Sequence, residues 1–239
     1  DTIPHSYFAE NPRFILVGLR DVMDRAEKEG IKLPVKRTII ITGMKKGEAW
    51  INMTRVNGVD GTDPVSLTDG EFVARKQVGD IIKYLNGYVP GFEEAHFNRM
   101  APFLGIRETR RITGKYELTR DDILSNRKFN DGVAVASYPL DLHHPVGGDC
   151  SLEWCDDCYD IPFRSLLPVN VENLVVAGRC ISASHEALSS MRVMAPCMAM
   201  GEAAGRAAGL AIRKGITVSA IDVSELRQVL LAKGAYLRQ

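Results

Sequence analysis

Residues 173–215 read NLVVAGRCISASHEALSSMRVMAPCMAMGEAAGRAAGLAIRKG. The run Leu174–Ala177 is apolar without alternation, which predicts a short strand buried on both faces and ending at Gly178-Arg179. Ligands of α/β sheets sit beyond the carboxyl ends of strands, so Arg179 is placed to meet one. The loop from Cys180 to Met194 is dense in donors: Ser182, Ser184, His185, Ser189, Ser190 and Arg192. It leads into an alanine-rich helix with Pro196 near its start and Gly215 just past its end. The unpaired N–H groups and positive dipole end of such a helix attract negative charge. Gly201, Gly205 and Gly209 recur every fourth residue on one face of it. Each costs about 1 kcal/mol against alanine in a helix interior, so close packing against that face is expected as the offset. Glu202, Arg206 and Arg213 exclude a bilayer seam as the explanation.

Working outward, a first helix is expected from about Pro12 to Glu29, with Asn11 as N-cap and Gly30 as stop. VKRTIIITG and GEAWINMTRVNG read as two strands joined through Lys45-Lys46-Gly47 in a hairpin. A second helix is expected from Leu67 or Asp69 to Leu85, with Thr68 and Glu71 at capping-box spacing. FNRMAPFLG and IRETRRITGKYEL look strand-like, a short helix follows Thr119, and GVAVASYPLDL is a further strand. Residues 143–162, rich in Pro, Gly, Asp and Cys, read as a long loop. A last helix is capped by Asp222 with Glu225.

The 239 residues suffice for one large or two small domains. Thirty basic residues balance thirty acidic ones, which leaves no electrostatic case for nucleic acid or an anionic membrane as partner. Five cysteines, an odd number, argue for reduced thiols rather than a disulfide scaffold. No apolar stretch has the length of a membrane span and no leader is visible, so a cytoplasmic location is expected. The opening DTIPHSYFAENP reads as part of a longer chain.

Segment 173–215 resembles the C-terminal flavin-binding motif of the FAD-dependent oxidoreductase family, which also includes heterodisulfide-reductase-like and succinate-dehydrogenase-like flavoproteins. GIRETRRITGKYELTRDDI (105–123), SYPLDLHHP (137–145) and YDIPFRSLLPVNVENLVVAGR (159–179) look like the family's corresponding blocks. The resemblance implies hydride transfer between FAD and a small organic substrate. It places Gly178 and Arg179 near the ribityl and pyrophosphate, Ser184 in the flavin loop, and the helix start at Pro196, Cys197 and Met198 against the pyrimidine edge. It also implies an α/β or α+β fold in three parts: an N-terminal helical segment (1–31), a mixed-sheet substrate domain (32–165), and the C-terminal strand and helix of an FAD-binding domain (166–239). The family's N-terminal βαβ unit carries a G-x-G-x-x-G turn, and no such pattern occurs here. The expected partner is therefore a separate N-terminal FAD-binding region, without which the chain should hold FAD weakly and be inactive. The alternative is a non-catalytic binding module on a degenerate flavoprotein scaffold.

Three residues stand out as catalytic candidates. Arg107, in a run with Arg110 and Arg111, suits a substrate carboxylate or flavin contact; the alternative is a solvated cation paired with Glu108. His143, beside His144 and near Asp141, suits a proton donor, against an exposed polar loop. His185, followed by Glu186, lies within the flavin loop. Cys150, Cys155 and Cys158 have C-x4-C-x2-C spacing, and with His144 would make a zinc or iron–sulfur set. The fourth ligand is not at a diagnostic place, and unligated thiols with no metal are expected.

Overall fold

The structure is a computed structural model that describes residues 13–143 and 150–238. The described residues divide into two compact units, 13–105 and 106–143 with 150–238. The boundaries expected at 31/32 and 165/166 fall inside these units.

In the first unit, β1 (Ile15–Gly18) pairs antiparallel with β2 (Thr38–Thr42), and β2 pairs with β3 (Ala49–Ile51). The hairpin between β2 and β3 is as expected: the Gly43 N–H donates to the Glu48 carbonyl at 2.8 Å. The first helix is not. Only Arg20–Lys28 is helical (α1), and Leu19 ahead of it takes a left-handed φ of 57°. The run Ile15-Leu16-Val17 had a ladder partner available in Ile39–Ile41, and strand pairing won over helical propensity. Asn11 and Pro12 lie outside the described residues; Gly30, at φ 96°, follows the helix end as expected. The long helix α2 spans Pro64–Tyr88. Asp63 caps it, accepting from the Val65 and Ser66 N–H groups at 3.1 Å, and Pro64 fills the first turn. Thr68 is thus inside the helix, its hydroxyl bonded to the Pro64 carbonyl at 2.8 Å, and is no cap. Met23, Ala26, Ile40, Met53, Ile81 and Leu85 form the core with Tyr84, whose hydroxyl meets Thr38 Oγ1 at 2.6 Å.

The second unit holds two antiparallel strand pairs: β4 (Gly132–Ala136) with β7 (Tyr159–Pro162), and β5 (Leu140–His143) with β6 (Cys150–Glu153). Part of the expected loop 143–162 is therefore strand; His144–Asp149 lie outside the described residues. Residues 112–118 form no ladder, contrary to expectation, but thread beside 165–184. Ile112 N donates to Cys180 O, Lys115 N to Leu167 O, and Leu118 N to Ser182 O. The crossing is close enough that a Cβ on Gly114 would lie 2.5 Å from Ser182 Cβ. The helix α3 (Arg120–Leu124) starts with the Thr119–Asp122 capping box. α4 (His185–Met191) is an unexpected helix of about two turns inside the donor-rich loop, capped by Ser184. α5 (Met194–Lys214) and α6 (Val223–Ala232, capped by Asp222) fall where the sequence placed them, and Gly215 ends α5 in the left-handed region at φ 65°.

Two expectations for 173–215 need correction. Leu174–Gly178 is not a buried strand: Leu174 is exposed, Val175–Gly178 are half-buried, and Val176 N to Leu166 O is the one backbone bond this stretch donates among the described residues. A strand needs a ladder of backbone bonds along an edge, and among the described residues Leu166 supplies a single one. The glycine face of α5 is likewise not packed, since nothing lies within 4 Å of a Cβ built on Gly201 or Gly205. The opposite face is the buried one, through Met200, Ala203, Ala207, Leu210 and Ala211. The class is α+β with small antiparallel sheets. No helix among the described residues is long and apolar enough to cross a membrane.

Candidate functional site

Strand geometry builds the centre of the site. Asp141 and His143 are two apart on β5, so their side chains leave the same face. His143 Nε2 lies 3.2 Å from Asp141 Oδ2. Arg107 Nη1 approaches the same oxygen at 3.7 Å, and Arg192, at the end of α4, donates from Nη2 to the Asp141 carbonyl at 2.9 Å. Burial works to raise the Asp141 pKa, but the His143 hydrogen bond and charge, with Arg107 and Arg192, outweigh it and hold the carboxyl below its ordinary range. Burial, then the neighbouring Arg107 charge, lowers the Arg192 pKa against the pull of Asp141 and Glu108.

His185 joins from the other side. Its Nδ1 sits 2.6 Å from Glu108 Oε2, and Glu108 also holds Arg111 at 3.1 Å. Arg107 and His143 thus meet at Asp141, while His185, 59% exposed, is joined to them through Glu108, the residue next to Arg107. The cluster is braced from below. Tyr159 OH meets Ser190 Oγ at 2.6 Å, and Ser190 Oγ in turn donates to the Tyr138 carbonyl.

The cofactor candidates are placed less uniformly. Gly178 is left-handed at φ 83°, with Cys197 Sγ 3.9 Å from where its Cβ would be. Arg179 donates through Nη1 to the carbonyl of Ile106, the residue before Arg107, which ties this end to the polar cluster. Cys197 is half-buried, and burial raises its thiol pKa against the opposing charge of Arg179. Pro196 is buried, whereas Met198 is 72% exposed. Ser184 is committed to the α4 cap through Ala187 N. The helix begins at Met194, and no side chain caps it.

These residues fit one part of a flavin. A left-handed glycine, an arginine and an uncapped helix N-terminus together suit a negatively charged group.

Asp141, His143 and Cys150 each offer one ligand atom, all within 4.8 Å of one another, so a cation could be shared there. Cys155 and Cys158 take no part among the described residues; Cys155 is buried with its thiol near the Ser137 carbonyl at 3.8 Å. His144 lies outside the described residues. Sequence reasoning undervalued Asp141, Glu108 and Arg192. The two-residue spacing of Asp141 and His143 was a usable signal, while the approach of Arg192 depends on α4 folding back on β5.

The second unit thus links the Arg107, Asp141 and His143 cluster to Arg179 through the Ile106 carbonyl. The chain belongs to the FAD dependent oxidoreductase family, whose model matches residues 7–230. FAD is accordingly its cofactor. Neither the curated proteins nor the solved structures gave a match to this chain.

Proposed function

We propose that the chain carries the substrate-handling and flavin-closing part of an oxidoreductase that transfers a hydride between FAD and a small organic molecule. The observation that supports it most is the Arg179–Ile106 tie, because it brings the flavin-facing residues next to the cluster of Arg107, Asp141 and His143. FAD, when bound, supplies the two-electron acceptor or donor. His143, oriented by Asp141, handles the proton that accompanies hydride movement, and Arg107 orients the substrate. His185 with Glu108 borders the same space and can relay protons to solvent. Arg179 acts as a positioning charge for the ribityl-pyrophosphate end, with Gly178 and Cys197 beside it and Met198 at the exposed edge. Pro196 and Ser184 act through the fold, the first from the core and the second as a cap.

The adenosine half is held by a separate FAD-binding region that packs on the open glycine face of α5, with Met198 and Ile212, both exposed, on its border. FAD titration of the chain, followed by flavin fluorescence, tests this reading. Weak binding is expected, weakened further in Arg179→Ala. Binding that is undetectable at any concentration, or insensitive to Arg179→Ala, would favour a non-catalytic binding module instead.

A further inference from the structure

Most arginines of the second unit that meet a partner have their N–H groups employed. Arg164 holds Asp131 with two contacts of 2.8 and 3.2 Å, Arg127 holds Asp122 at 2.7 Å, and Arg238 reaches two carbonyls at 3.0 and 2.6 Å. Arg107 and Arg192 differ. Arg192 makes one hydrogen bond among the described residues, to the Asp141 backbone, and Arg107 makes none, standing 3.7 Å from the Asp141 carboxylate and half exposed. A guanidinium carries five N–H donors, so nearly all of the pair's donors are unspent. The carboxylate that Arg107 faces is already shared with His143.

Both guanidiniums meet Asp141, Arg107 at its carboxylate and Arg192 at its backbone carbonyl, and against that one carboxylate they leave one positive charge uncompensated (two cations less one anion). Holding like charges together in a half-buried site is unfavourable unless an anion joins them. Arg111 does not contribute to the surplus, because Glu108 neutralises it at 3.1 Å. The size of the surplus decides the class of anion. One unit of charge and planar forks suit a carboxylate, whereas a phosphate dianion would overfill the site.

We propose that Arg107 and Arg192 form a receptor for a carboxylate on the substrate, with Arg192 as its floor and Arg107 as its rim. The proposal rests on the reading that this cluster is the substrate site, and it names the substrate class as carboxylic acids. The bound carboxylate would lie beside His143, so that the proton-handling imidazole faces a neighbouring atom of the same molecule. A cation on Asp141, His143 and Cys150 is the competing use of these atoms, and it would have to sit against both guanidiniums.

The probes are benzoate and benzamide, which share a shape and differ in charge, together with inorganic phosphate and Zn²⁺. Binding to the whole chain is followed by calorimetry and by the ¹⁵N shifts of the arginine Nε–H groups. Benzoate should bind and shift both arginines, benzamide should not, and phosphate should bind more weakly than benzoate. Arg192→Lys keeps the charge but loses the fork, and should weaken benzoate about tenfold, equal to about 1.4 kcal/mol. Arg107→Gln, at the exposed rim, should do at least as much without unfolding the protein, so the test survives if the Arg192 variant fails to fold. Equal affinity for benzoate and benzamide, unchanged affinity in Arg107→Gln, tighter binding of phosphate, or stoichiometric Zn²⁺ that excludes benzoate would each overturn the proposal. FAD titration separates it from the flavin reading. Benzoate binding without any FAD binding keeps the receptor and removes its role in flavin chemistry, and FAD binding without benzoate binding removes the receptor alone.

Discussion

At the scale of single residues, Asp141 organises the site. It accepts from His143, faces Arg107 and Arg192, and is held ionised below the ordinary carboxylate range despite its burial. Asp141→Asn keeps the shape but leaves the guanidiniums facing a neutral group. Stability should fall by about 1–2 kcal/mol at pH 7. A carboxyl with a depressed folded pKa contributes stability that is fully present above its unfolded value of about 3.9 and is lost as pH falls through the folded value. The gap between wild type and Asp141→Asn should therefore be full at pH 7 and narrow steadily below pH 4 in urea titrations. A gap that stays constant into acid would show that Asp141 acts through shape rather than charge. The residue scale also separates what local sequence reveals from what it does not. The pairing of Asp141 with His143 follows from strand alternation, but Arg192 is fifty-one positions away from the carbonyl it binds, and no local pattern announces that contact.

At the scale of elements, glycines of similar appearance in the sequence have opposite meanings. Gly205 lies in the middle of α5 with open space where a Cβ would go, so Gly205→Ala should stabilise the chain by about 0.5–1 kcal/mol through helix propensity. Gly114 lies where the 112–118 segment crosses Ser182, and a methyl there would meet the Ser182 Cβ at 2.5 Å and the Leu167 carbonyl at 3.3 Å. Gly114→Ala should destabilise by about 1–3 kcal/mol. Chemical denaturation of the two variants checks both signs. The same Gly205→Ala substitution should impair docking of the proposed FAD-binding region, because a methyl keeps another backbone from approaching. A destabilising Gly205→Ala would mean that this face of α5 is covered in the protein in solution. The elements themselves were mostly legible: α5, α6, the α3 capping box and the β2–β3 hairpin follow from caps and periodicity. The start of α2 was not, because Asp63-Pro64 and Thr68–Glu71 both resemble helix starts, and Asp63 with a following proline satisfied the free N–H groups first.

At the scale of the whole molecule, each compact unit has its own core. Separate cores permit separate unfolding. Tyr84 is fully buried in the first unit and shares its hydroxyl with Thr38 at 2.6 Å. Tyr84→Phe strands the Thr38 hydroxyl in the core, which should cost about 1–3 kcal/mol. Two calorimetric transitions are expected, with the variant lowering the one that belongs to the first unit and leaving the affinity for benzoate in the second unchanged. A single transition that moves as a whole would show the two cores to be one cooperative structure.

The sequence by itself determined the family resemblance, the helix ends set by Asp222 and Gly215, the donor-rich loop, and the residue types from which the site is made. These are local properties, decided by backbone sterics, capping and charge within a few residues. Only the tertiary structure decided that Ile15–Gly18 would leave the helix for a strand pairing, that Leu174–Gly178 would lack a ladder, and that the glycine face of α5 would be open among the described residues. It alone brought Arg107, Asp141, His143 and Arg192 together. Each of these outcomes depends on whether a distant segment arrives to share a hydrogen-bonding edge, a packing face or a charge, and that competition between partners is settled only when the chain folds on itself.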